Sequence, residues 1–294
     1  MKVIHEDIIG RYMHITVGGR EYRIYYEEAG SGFPLLLGHT AGSDGREYRH
    51  MMNDRDVTDH FRCIAFDLPY HGKSLPPYGV EWWTEKYKIF TKEMMDYPNA
   101  IVDALELNDP IYMGMSMGGH LAMDLALYYP DKYLCTIAIE GALHTNAEYA
   151  AQGIEQVNWE FDHPMISRNE LGAAMLLNMS PTSPEKNVKE CMWTYMQSGP
   201  GIFAGDLYYY NDDHNITVDQ AQSIDTSKCM LYMLTGEYDP NTTPEDTQKI
   251  ADLVKGSYFR PMKGLGHFPV IENYNAFKEY LVPILDDILK RYKK

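Results

Sequence analysis

Positive charge is scarce in this chain of 294 residues: 26 lysines and arginines stand against 42 aspartates and glutamates, for a formal charge of −16. A surface of that sign repels polyanions, which excludes nucleic acid and anionic membrane surfaces as expected partners. Long hydrophobic runs are missing too. Nowhere do about 18 apolar residues run uninterrupted, and the start, MKVIHEDIIGRYMHITV, lacks the apolar stretch of a signal peptide. The expectation is a cytoplasmic protein without a membrane span. Cysteine is limited to Cys63, Cys135, Cys191 and Cys229, with neither metal-site spacing nor close pairing. They read as reduced packing residues, and no metal or organic cofactor is expected. Internal repeats and low-complexity linkers are absent as well.

What is present is enough apolar material for a buried core, at 45% hydrophobic and 13% aromatic residues, in one large domain or two modest ones. YMHITV (12–17) and EYRIYYEEA (21–29) alternate as two strands around Gly18-Gly19, the pattern of a hairpin. Apolar runs typical of buried parallel strands follow at 34–38, 62–67, 110–115, 133–140, 229–236 and 257–262. Amphipathic helical patterns fall between most of them, at 84–107 with a kink at Pro98, 118–129, 244–255 and 275–294. This is the pattern of an α/β fold, a mostly parallel, doubly wound sheet with helices on both faces. Residues 142–226 break the alternation with short helical segments rich in Met and aromatic side chains. The expected organisation is a core of 1–141 and 227–294 with a helical cap inserted at 142–226. Trp159 and Trp193 are candidate walls of a pocket beneath that cap, since ligand sites gather where strand carboxyl ends meet an inserted element.

Gly114-Met115-Ser116-Met117-Gly118 lies between a strand pattern and a helix pattern, the context of a nucleophile elbow. A serine hydroxyl is a poor nucleophile near neutral pH and needs a histidine base oriented by a carboxylate. Five histidines follow Ser116. His120 falls on the elbow helix, His163 and His214 fall in the insertion, and His144 precedes any later-strand acid. His267, in KGLGHFPVIEN after the last strand, is the base expected on these grounds. Asp239, in TGEYD after the strand at 229–236, is the expected acid, with Glu237 a solvated neighbour. Glu140, at the end of the strand at 133–140, is the second candidate, as triad acid or as an auxiliary pocket carboxylate. Two donors for an oxyanion are expected from the amide of Met117 and from Thr40 in the loop GHTAGSDG (38–45).

Together, GMSMGG around Ser116, TGEYD with Asp239, GLGHFPVIEN with His267 and DLPYHGKS (67–74) resemble the α/β-hydrolase superfamily, in its capped branch of esterases, lactonases and carbon–carbon hydrolases. Two departures stand out. Gly38-His39 replaces the family's His-Gly, and Asp67-Leu-Pro-Tyr70-His71-Gly72-Lys-Ser74 replaces its Asp-x-x-Gly-x-Gly-x-Ser. The first places His39 near the pocket, either touching substrate or pinning its loop by a backbone hydrogen bond. The resemblance implies hydrolysis through an acyl-enzyme. Residues 142–226 carry 12 acidic side chains and three basic ones, Arg168, Lys186 and Lys189. That charge favours a small uncharged ester or lactone with an apolar or aromatic part over an anionic substrate. A carbon–carbon bond hydrolase acting on a ketone or diketone with the same triad is the alternative, and a noncatalytic small-molecule-binding protein the alternative of another class. A homodimer is left open.

Overall fold

In the computed structural model, which describes residues 3–145 and 159–292, the chain begins with β1 (Ile9–Val17) and β2 (Arg20–Ala29), an antiparallel hairpin. Its turn, Gly18-Gly19, takes φ of +57° and +77°, a conformation that a glycine pair adopts without the Cβ penalty. β3 (Phe33–Gly38), β4 (Phe61–Phe66), β5 (Ile111–Met115), β6 (Cys135–Ile139), β7 (Met230–Gly236) and β8 (Tyr258–Met262) complete one eight-stranded sheet in the order β1-β2-β4-β3-β5-β6-β7-β8. β2 runs antiparallel to β4, and from β4 onward every pairing is parallel. Every residue of β5, β6 and β7 is buried, because helices cover both faces of the sheet; this is why these strands read as unbroken apolar runs. Alternate residues of β3 divide between the two layers, Leu36 packing on one face and Leu35 and Leu37 on the other.

The helices that frame the sheet are α1 (Thr91–Ala104), α2 (Met117–Tyr128), then α3 (Ser167–Ala174), α4 (Glu185–Tyr195), α5 (Ile202–Leu207) and α6 (Val218–Ser223) between β6 and β7, and finally α7 (Pro244–Leu253) and α8 (Tyr274–Tyr292). Residues 146–158 of the expected insertion lie outside the described residues. Two helices differ from expectation. The one expected over 84–107 begins only at Thr91, because the segment before it is claimed by the inserted helices: Ile89 N–H donates to Gly205 O at 3.3 Å and Tyr87 Oη–H to Asp206 Oδ1 at 2.8 Å. Tertiary contact outweighs local helix preference there. α2 is not amphipathic. Met117 through Ala126 are all buried, since a turn of π-helix at Tyr208–Asp213 covers the side that would otherwise meet water.

α2 lies against β3, β5 and β6 so closely that side chains are excluded. A Cβ on Gly118 would stand 2.4 Å from Gly38 O, one on Gly114 2.3 Å from Gly118 O, and one on Gly119 2.3 Å from Ile139 O. Gly118→Ala forces the amino end of α2 off the end of β3. The expected cost is about 2–3 kcal/mol, in the range of overpacked cores, read by urea unfolding; an unchanged midpoint would show that the helix can shift freely.

Candidate active site

Ser116 joins β5 to α2 with φ +56° and ψ −113°, a conformation that an L-residue keeps only where its surroundings enforce it. Here Ser116 N–H donates to Ile139 O at 2.8 Å and Ser116 O accepts from His120 N–H at 2.9 Å. The bend lifts the hydroxyl off the carboxyl edge of the sheet. His267, in the loop after β8, places Nε2 2.8 Å from Ser116 Oγ and Nδ1 2.7 Å from Asp239 Oδ2. A neutral imidazole with its proton on Nδ1 satisfies both contacts, donating to the carboxylate and accepting from the serine. The three side chains are almost wholly buried, Ser116 being 5% exposed.

Two loops bring the acid and the imidazole together. Glu237 N–H donates to Met262 O and Tyr238 N–H to Leu265 O, each at 2.9 Å, which zips the loop after β7 to the loop after β8. Asp239 Oδ1 then accepts from the amides of Asn241 at 2.8 Å and Thr242 at 3.2 Å, leaving Oδ2 for the imidazole. Glu237 itself is exposed, its carboxylate accepting from Gly264 N–H at 2.9 Å. On the other side of His267, Glu272 takes the amides of Gly266 and Ser180. Burial pushes the Glu272 carboxyl up to about 7. His267 N–H donates to Asn178 O at 2.8 Å, so the segment between β6 and β7 holds the His267 loop from behind.

Glu140 is wholly buried at the end of β6, with φ +54°. Its carboxyl oxygens accept from Gly236 N–H at 2.9 and 3.1 Å. One atom each of Glu140, Asp239 and His267 lie within 4.8 Å of one another. Two carboxylates and one imidazole in a dry site cannot all be charged. Burial and then the neighbouring Asp239 charge push Glu140 well above the usual carboxylate range. Asp239 moves the other way: burial opposes it, but the His267 imidazole and the Glu140 hydrogen bond hold it below its usual value. Asp239 is the anion, Glu140 a neutral acid, and the contact with His267 belongs to Asp239.

The Thr40 donor requires correction. Thr40 N–H already donates to Glu47 Oε2 at 3.0 Å and Thr40 Oγ1–H to Glu47 Oε1 at 2.6 Å, while Tyr195 Oη of α4 closes on the same Thr40 hydroxyl. Glu47 is completely buried, and burial pushes its carboxyl up to about 7. The Met117 amide is the first N–H of α2, with no partner inside the helix. His39 does not face a substrate space either. Its Nδ1–H donates to Thr40 O at 2.8 Å and its Nε2 accepts from Leu68 N–H at 3.1 Å, so the ring pins the β3 loop to the segment after β4.

Trp159 and Trp193 are 61% and 64% exposed and face outward. Trp193 stands on the outer side of α4, whose inner side buries Cys191 and Tyr195. The aromatic groups that approach the site are Tyr195, Tyr210 and Phe203, the last packed on Gly42. Asp206 of α5 is another residue that no motif announced. Its Oδ2 accepts from Gly42 N–H and from His71 Nε2, each at 2.7 Å, and so ties the insertion to the β3 loop. His71 donates from both ring nitrogens, the second to Pro69 O at 2.8 Å, and is therefore an imidazolium. Burial works against that charge, but Asp206 raises the ring's pKa above its ordinary value.

Burial and the nearby His71 charge lower the His39 imidazole to about 4. Its unfolded value of roughly 6.5 means that between pH 6.5 and 4 the unfolded chain binds a proton that the folded chain refuses. The stability from keeping His39 neutral is present above pH 6.5 and is lost as pH falls toward 4, about 3 kcal/mol in full. NMR of the His39 ring should give a midpoint near 4, and His39→Asn should flatten the decline in unfolding free energy over that window. A ring titrating at its ordinary value would disprove the pinned, neutral form.

Residues 34–274 match the family described as the alpha/beta hydrolase fold. A 2-hydroxy-6-oxononadienedioate/2-hydroxy-6-oxononatrienedioate hydrolase of Burkholderia vietnamiensis is 28% identical over 134 residues, a stretch spanning 44% of each chain and so less than half of that relative's length. A thermophilic esterase from Thermogutta terrifontis superimposes with a TM-score of 0.79 at 19% identity, over 95% of this chain and 99% of that one. The enol-lactonase from Burkholderia xenovorans gives 0.77 at 17% identity, over 93% and 100%. At such identities these two structures speak for the fold alone. With 34–274 matched, and with a strand-turn-helix serine standing on a mostly parallel eight-stranded sheet, the chain belongs to the α/β-hydrolase family.

Proposed function

We propose that this protein is a serine hydrolase that cleaves an uncharged carboxylic ester or lactone with an apolar or aromatic part. The observation that carries the reading is the unbroken contact series from Ser116 Oγ through His267 to Asp239, at 2.8 and 2.7 Å. His267 Nε2 takes the serine proton as Oγ attacks the carbonyl carbon, and returns it to the leaving alkoxide. Water then repeats the sequence on the acyl-enzyme, releasing the acid and restoring Ser116. Asp239 stabilises the imidazolium that forms in each half. Neutral Glu140 lets it do so, because a second anion there would bias the imidazole toward its charged form before reaction. The Met117 amide serves as one oxyanion donor. Residues 142–226 act as a cap over Ser116, which is 5% exposed.

The preference for a neutral substrate rests on where the cations are. Among the described residues no lysine or arginine is buried, Arg168 is exposed, and the site's surroundings include the buried acids Glu47, Glu140, Asp206 and Glu272. A substrate carboxylate brought into that dry, acidic space has no guanidinium to meet it. The Burkholderia vietnamiensis relative is named for a dioate substrate, so a carbon–carbon hydrolase is the reading to test against.

Ser116→Ala should fold and lose roughly three or more orders of magnitude in kcat on p-nitrophenyl esters, and a fluorophosphonate should label the peptide containing Ser116. Labelling elsewhere, or activity that survives, would end the assignment. Asp239→Asn should lower kcat by roughly 10⁴, while Glu140→Gln, which keeps a neutral hydrogen-bonding group beside Asp239, loses far less; the reverse order would make Glu140 the triad acid. A neutral aryl ester should have a higher kcat/KM than a dicarboxylate half-ester of matched size, with added salt narrowing the gap. Preference for the charged ester, abolished by Arg168→Ala, would favour the carbon–carbon hydrolase.

A further inference from the structure

Tyr210 sits in the turn of π-helix at Tyr208–Asp213 that covers α2. Such turns recur at functional sites because the extra residue redirects side chains. Its neighbour Tyr209 has a structural task, donating to Asp124 Oδ2 at 2.7 Å. Tyr210 has none of that kind. Its ring stacks on His120 of α2 with centroids 4.2 Å apart, and its backbone oxygen accepts from Thr145 Oγ1 at 2.9 Å. The residue is 6% exposed, yet its hydroxyl has no hydrogen-bond partner. The hydroxyls of Thr242, Ser116 and Thr145 lie near enough to pull its pKa down as hydrogen-bonding neighbours, but none stands in hydrogen-bond geometry to it. Burial and then the Asp239 charge raise the phenol's pKa, so it stays protonated and remains a donor. An unbonded buried hydroxyl carries a desolvation cost of about 1–3 kcal/mol; a fold retains it without loss where a ligand completes the bond.

On the reading that the protein hydrolyses esters, we propose that the Tyr210 hydroxyl donates a hydrogen bond to a second oxygen of the substrate, so that the site selects esters or lactones bearing an acceptor oxygen near the scissile carbonyl. The placement supports this over a role in the oxyanion site. Thr145 follows β6 and Thr242 follows β7, whereas Thr40 and its loop follow β3 on the other side of β5. Tyr210 reaches the reacting carbon from the side opposite that loop. It meets a group beside the carbonyl and not the carbonyl oxygen itself. The acceptor oxygen belongs either to the acyl chain or to the alcohol, and the two are separable by probe.

The test uses the whole 294-residue chain carrying Ser116→Ala, which binds ester without turnover, with and without Tyr210→Phe. Calorimetric titration compares two isosteric pairs: phenyl 3-methoxypropanoate against phenyl pentanoate, with the oxygen in the acyl chain, and 2-methoxyethyl benzoate against butyl benzoate, with it in the alcohol. Tyr210→Phe is expected to weaken the oxygen-bearing member of one pair about five- to tenfold relative to its partner, the worth of one hydrogen bond. Ratios unchanged in both pairs overturn the proposal, whether every affinity falls equally or none does. If the wild-type protein cleaves none of these esters while the relative shift is seen, the contact stands and the hydrolytic reading fails. Absence of saturable binding by all four esters overturns the proposal. Thermal unfolding gives an independent readout: removing an unpartnered hydroxyl should leave Tm equal or higher, and a clear drop would mean that Tyr210 has a structural bond after all.

Discussion

The site depends on backbone meeting backbone where α2 enters the sheet. Gly118 lies against Gly38 O at the end of β3, and Gly119 against Ile139 O at the end of β6, with separations that admit no Cβ. That contact wedges the first turn of α2 between two strand ends and obliges Ser116 to take up positive φ. Everything else is referred to this point. The loop after β3 lies on one side of Ser116, and Asp239 and His267 descend from the loops after β7 and β8. Close packing makes the geometry stiff, since interiors pack like crystals and yield little before strain accumulates.

Around this rigid point the charges are arranged by exclusion of water. Four of the buried carboxyls at the site and its supports divide by partner. Asp239 has the His267 imidazole and two amides, and Asp206 has the His71 imidazolium, an amide and a phenol. Glu140 and Glu47 have amides and hydroxyls but no cation, and burial drives both upward. Asp239, Glu140 and Glu47 follow one rule: a carboxyl in a dry site stays ionised when a cation faces it and takes up a proton when none does. The inserted helices enter this scheme as suppliers of partners. Asp206, Tyr195 and the Asn178 carbonyl reach into the β3 loop and the His267 loop, and so bond residues between β6 and β7 to both.

Much of the fold was legible in the sequence because burial on both faces leaves an unmistakable mark. β3 through β7 coincide with apolar runs, and the Gly-rich turns and the chain order serine, acid, histidine pointed to Ser116, Asp239 and His267, which the structure brings into one series of hydrogen bonds. Periodicity failed where a segment's partner was distant in sequence. The helix expected from residue 84 is displaced by bonds to Gly205 and Asp206, over a hundred positions away. Tryptophans in the insertion looked like pocket walls because they are large and apolar, but helix phase turned Trp193 outward and Tyr195 inward.

What the sequence determined by itself is the set of local requirements: glycine where no side chain fits, apolar residues where strands are covered, and a serine, an acid and a histidine, in that chain order, after strand ends. What only the tertiary structure decided is which polar atoms were already taken. Thr40 carried the position expected of an oxyanion donor, yet its amide is held by Glu47; of the two readings open for His39, both its nitrogens being occupied by backbone leaves the one that pins the loop; and Glu140, the second candidate beside Asp239, became the neutral member of the pair. The reason is physical. Hydrogen-bond capacity is finite and burial makes each group's state depend on its neighbours, and those neighbours are assembled from segments that the chain's linear order keeps far apart.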